Sequence, residues 1–175
     1  MSKRKTSTFY LTERLSVVAA GTAVSGTIDL GAYVDVGDRQ AIAIEEVDFI
    51  WQGATPGTEV PGVLGANNGA FCQLTDLNRG NALVFADDRA LIASGNVYCD
   101  LGLNPSHSLD MYPDVFGARD GVRLVINDQM YCVAQANAIG ATGPLEVTVR
   151  VKCHITTLSQ KDWMAIAIQS TAADN

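Results

Sequence analysis

The chain has 175 residues, 47% hydrophobic and 18% charged, a balance that suits one packed domain and excludes a disordered or fibrous protein. Nineteen acidic against twelve basic residues give a net charge of -7, which excludes wrapping nucleic acid over the whole surface. No stretch reaches the roughly 18 apolar residues of a membrane span.

Basic charge gathers at the start, where Lys3, Arg4 and Lys5 form an arm over residues 1–8. The apolar run after Glu13 and Arg14 is short and holds Gly and Thr, so it does not read as a signal peptide. Phe9, Leu11, Leu15 and Val17 alternate with polar residues, and Ile28, Leu30, Ala32, Val34 and Val36 do the same. Both stretches are expected to be strands with one buried face. In "DRQAIAIEEVDFIWQ" the apolar parity switches between Ile42/Ile44 and Val47/Phe49/Trp51, which predicts a bulge or a bend at Glu45-Glu46.

The Gly- and Pro-rich "GATPGTEVPGVLGANNG" predicts a long loop. "AFCQLTDL" and "ALVFADD" then read as strands around the turn "NRGN". "RALIASGNVYCDLGL" reads as a strand broken at Gly95, and "NPSHSLDMYPDVFGARDG" as a second long loop. "VRLVI" and "QMYCVAQA" flank a tight turn at Asn127-Asp128, and a further hairpin is expected around Gly140.

Leu145, Val147, Val149, Val151, Cys153 and Ile155 share one parity of the next strand, and Arg150, Lys152 and His154 the other. Adjacent strand residues face opposite ways, so Cys153 and His154 read as a core thiol and a solvated imidazole, out of each other's reach. Ser159 followed by Asp162 predicts a helix start, and the helix is expected over about 159–169. Its apolar Trp163, Ile166 and Ile168 make it a docking element, because so short a helix needs a partner surface.

No motif for nucleophilic, phosphate-binding or zinc chemistry occurs, so no catalytic residue, metal ligand or cofactor is assigned and the chain reads as a non-enzyme. His107 reads as a solvated loop residue. Asp87, Asp88, Asp100, Asp110, Asp114 and Asp120 read as an acidic rim, with a calcium site as the alternative. Cys72, Cys99, Cys132 and Cys153 lack metal-ligand spacing. With Cys132 opposite about Val149 in a hairpin, Cys153 lies about 13 Å further along, too far for a disulfide.

About eight strands and one helix, with no helical patterns between strands, predict an all-β fold. The fold class is a single eight-stranded antiparallel jelly roll or β-sandwich with a short C-terminal helix. It spans 9–169 as one domain, with 170–175 as a tail.

From Phe9 to Ile168, in strand number, loop length and size, the chain resembles the single-jelly-roll major capsid proteins of tailless icosahedral prokaryotic viruses, some with an internal membrane. That resemblance implies a self-assembling coat subunit of a virion. Its partners would be copies of itself in an icosahedral shell and other capsid proteins. Lys3, Arg4 and Lys5 would face the genome or the inner membrane. The alternative expectation is a carbohydrate-binding jelly roll using exposed tyrosines such as Tyr98, Tyr112 and Tyr131. A cupin-type enzyme is disfavoured, since two histidines on separate segments cannot build a histidine-rich metal centre.

Overall fold

The structure, a computed structural model, describes residues 3–56, 59–109, 123–140 and 143–172. It is a sandwich of two antiparallel five-stranded sheets. In chain order the strands are β1 (Lys3–Arg4), β2 (Phe9–Val17), β3 (Val24–Asp29), β4 (Gln40–Gln52), β5 (Asn68–Thr75), β6 (Leu91–Cys99), β7 (Pro105–Leu109), β8 (Arg123–Val125), β9 (Gln129–Ala136) and β10 (Leu145–Thr157). A short helix α1 (Val60–Leu64) lies in the loop after β4, and α2 (Gln160–Ala172) ends the chain. One sheet runs β2-β10-β4-β8, with β1 beside the far end of β10; the other runs β3-β9-β5-β6-β7.

Alternation explains the core between them. Leu145, Val147, Val149, Val151 and Cys153 are fully buried on the inner face of β10. Cys72, Leu74, Met130, Cys132, Ile92 and Val97 meet them from the other sheet. The parity switch in β4 is a bulge, as expected: Lys152 faces Glu46 but Cys153 faces Ile44, leaving Glu45 as the extra residue.

Several expectations are corrected. Asn127-Asp128 and Gly140 do not close hairpins; β8 and β10 lie in one sheet and β9 in the other, so both connections cross between layers. Cys132 and Cys153 thus sit in opposing sheets, and all four cysteines are free and buried. "ALVFADD" is not a strand. The Gln73 side chain pairs with both backbone groups of Val84, donating to its carbonyl at 2.8 Å and accepting from its amide at 2.7 Å, in place of a neighbouring strand. The strand expected over Ile28–Val36 stops at Asp29, the end of β3, because Tyr33 and Val34 turn back onto the Leu30 carbonyl. β6 passes unbroken through Gly95, whose lack of a side chain makes room for the Phe49 ring. The two long loops contain structure of their own, α1 in the first and β7 in the second.

Candidate functional site

Four features of the surface have the chemistry of a site. The first is an anchored N-terminus. Lys3 and Arg4 pair with Thr157 and Thr156 of β10, and the Lys5 amide donates to Ile155 at 2.8 Å. The Ile155 amide in turn donates to the Thr6 hydroxyl at 3.0 Å. The Arg4 guanidinium donates to the Thr6 carbonyl at 2.8 Å and the Thr8 hydroxyl at 2.5 Å, and lies 3.5 Å from the Glu45 carboxylate. Lys5 lies 4.0 Å from Asp38.

Glu45, the bulged residue, also meets His154 Nδ1 at 2.9 Å and the Thr8 hydroxyl at 3.2 Å. His154 is therefore not the solvated imidazole the alternation suggested; its side chain is 12% exposed. Parity gave its face correctly but could not show that the bulge turns Glu45 to the same side, or that residues 3–8 run past them. Cys153 points the other way, and burial, with the Glu45 charge adding, pushes its thiol up to about 12. Cys132 is pushed to the same value chiefly by burial, and Cys72 and Cys99 are raised also. None forms the thiolate that nucleophilic chemistry needs near neutral pH.

The second feature is an open apolar cleft of about 690 Å³ where β4 meets the β6–β7 turn. Phe49, Trp51, Val60, Pro61, Val97 and Leu103 form its walls, with Glu59 and His107 as its polar groups. The Trp51 indole N–H is buried there with no acceptor among the described residues. The opening exists because β8 pairs with β4 only over Ile42–Ile44, which leaves the Phe49–Trp51 end of that edge uncovered among the described residues.

The third is α2. Its start matches the sequence expectation: the Asp162 amide donates to the Ser159 hydroxyl at 3.2 Å, and that hydroxyl donates to the Asp162 carboxylate at 2.7 Å. Trp163 and Ile166 are half-buried, whereas Met164 and Ile168 are 54% and 64% exposed. Met164, Ala165 and Ile168 line one apolar surface with Gln160 and Lys161.

The fourth is an aromatic pair on the outer face of the β3-β9-β5-β6-β7 sheet. Phe71 and Tyr98 both reach over Gly69; a side-chain carbon there would stand 3.6 Å and 3.5 Å from their rings. Tyr131, by contrast, is half-buried and bonded to Gln129.

Among the described residues no group of acidic side chains converges on a metal-sized site, and Asp88 and Asp100 have local partners. Asp88 pairs with Arg79 at 3.1 Å and accepts from the Ala90 amide. Asp100 accepts from the Asn104 amide and side chain, which hold its carboxyl below the usual aspartate range. Asp110, Tyr112, Asp114 and Asp120 lie outside the described residues.

No family model matches this chain, and no curated protein matches it. Among solved structures it is similar to a chain from desmodium yellow mottle tymovirus, 6% identical, over 88% of this chain and 90% of that chain, with a TM-score of 0.37.

Proposed function

We propose that this chain is a structural protein that assembles with copies of itself, as the coat subunit of a tailless icosahedral prokaryotic virus. The sandwich is read as a jelly roll. In support, its strands nest about the β5–β6 connection: β5 pairs with β6, β4 with β8, β3 with β9 and β2 with β10. A long antiparallel ribbon rolled up on itself has this order, and rolling then brings β10 beside β4 and β9 beside β5.

A fold assigns no function by itself. The observation that carries self-assembly is apolar surface left over outside a filled core. Leu101 and Leu103 project at the turn beyond one end of the sandwich, and Val36, Met164 and Ile168 at the other. Contiguous apolar surface marks contact sites, and Met164, Ala165 and Ile168 line one such surface while Leu103 lines the cleft. Lys3, Arg4 and Lys5 are the residues for phosphate, from genome or lipid, although Arg4 and Lys5 already have acidic neighbours.

Light scattering and electron microscopy of the purified chain test this reading. Regular closed particles are expected; a monomer at every concentration overturns it. A second reading, a carbohydrate-binding module, is favoured by the exposed Phe71–Tyr98 pair, since aromatic faces stack on sugar rings. It expects a soluble monomer that binds glycans, with binding lost in Phe71→Ala.

A further inference from the structure

We propose that helix α2 of one copy docks in the apolar cleft of the next, making the assembly contact head-to-tail. The inference rests on the self-assembly reading and names the surfaces that carry it.

The two surfaces lie at opposite ends of the same strand pair. Trp51, in the cleft wall, faces Val147 of β10, while Thr157, from which α2 departs, faces Gln40 at the other end of β4. The stretch of β10 from Val147 to Thr157 measures about 33 Å at strand rise. Helix α2 has 13 residues, about 20 Å of helix. Even folded straight back along the sheet, it ends more than about 10 Å short of its own cleft. A helix that fills this cleft therefore comes from another copy.

The chemistry of the two surfaces agrees. Met164 and Ile168 stand one turn apart on α2, with Ala165 between them low enough to admit a close wall. The cleft offers Val60, Pro61, Val97 and Leu103 to them. Lys161 is the charged residue of the helix surface and Glu59 that of the cleft, so the pair is of opposite sign. Unlike surfaces that complement each other make a heterologous contact, which propagates from copy to copy into a ring where the rotation closes and into a filament where it does not. A single helix face buries well under the roughly 800 Å² per partner of a self-sufficient interface. Its strength comes from many such contacts closing together.

Disulfide trapping of the full chain tests the proposal. Leu103→Cys and Met164→Cys are made as separate chains, mixed and mildly oxidised; the four native thiols are buried and do not compete. A Tyr10→Cys chain mixed with Met164→Cys is the control. The expected result is a mixed dimer formed at least tenfold faster than in the control. A second arm uses charge reversal: Lys161→Glu should raise the concentration needed for assembly about tenfold, and Glu59→Lys in the same chain should restore it.

If wild-type chains assemble but the mixed dimer forms no faster than the control, the helix-in-cleft contact is overturned and self-assembly stands. A doubly substituted chain that cross-links only within itself overturns it too. Wild-type chains that stay monomeric at every concentration remove the self-assembly reading, and the contact with it.

Discussion

Gly95→Ala is the most direct test of how the two sheets meet. Gly95 lies in β6, and the Phe49 ring of the facing sheet rests on it. A methyl group there would stand 2.6 Å from Phe49 Cδ2 and 3.1 Å from Cγ. Carbon atoms prefer about 3.5–4.0 Å, so the ring must move by about 1 Å or the sheets must part. Phe49 is itself buried, and its ring has little free space to enter. Overpacking of this kind costs about 1–3 kcal/mol. Replacing a strand glycine by alanine returns about 0.5–1 kcal/mol of backbone entropy. The net expectation at the middle of these ranges is a loss of about 1 kcal/mol, or roughly 0.5 M in the urea midpoint at a slope of about 2 kcal/mol/M. Phe49→Leu alone should also destabilise, by opening a cavity. The double variant should be more stable than the sum of the two losses, because the smaller side chain makes room for the methyl group. Equal or higher stability for Gly95→Ala, or simple additivity in the double variant, refutes the close packing of these two residues.

Glu45→Gln should loosen the N-terminal strand, since it removes the charge shared by Arg4, Thr8 and His154; amide exchange at Lys5 should quicken while β9 stays protected, and unchanged exchange would count against the anchoring. Asp100 has a lowered folded pKa, through the Asn104 amide first, so its contribution is present above the unfolded value and lost as pH falls through the folded one. The Asn104 amide resonance should therefore titrate below the usual aspartate range of about 3.9, and a midpoint at or above that value refutes the assignment. The four thiols should react with a thiol reagent at pH 8 only after denaturation; labelling of the native chain at the rate of a free thiol would contradict their burial. Replacing Lys3, Arg4 and Lys5 together by Gln should weaken binding of assembled particles to anionic vesicles or nucleic acid at low salt, and unaltered binding removes the phosphate-facing role.

Where one face of a strand is buried, the sequence was readable. Leu145 to Cys153 alternate without interruption, and the Glu45 bulge announced itself as a change of parity. Parity identifies faces, but it carries no information on partners. Nothing local distinguishes a turn that returns within a sheet from one that crosses to the opposite layer, so Asn127-Asp128 and Gly140 looked like hairpins. "ALVFADD" has the apolar content of a strand, yet both backbone groups of its Val84 are bonded to one glutamine side chain from β5. Such a side-chain clamp leaves no periodic trace. The cleft was illegible for the same reason. Among the described residues β8 pairs with β4 only over Ile42–Ile44, a property of chain path that the residues lining the cleft do not encode.

The strand that is easiest to read is also the one that carries α2. β10 is flanked by β4 from Glu146 to Thr157 on one side, and by β2 and then β1 on the other. A strand bonded along both edges cannot slide or tilt independently of its sheet. Leu158, the next residue, is buried, and its amide is bonded to the Arg39 carbonyl at 3.0 Å. Ser159 then caps the helix at once. No flexible linker separates β10 from α2, so the core that fixes the strand also sets where the helix begins. The cleft is attached to the same frame through Trp51. A helix-to-cleft contact between copies would then repeat at a nearly constant angle, so head-to-tail growth is regular: a ring where the rotation closes and a filament where it does not.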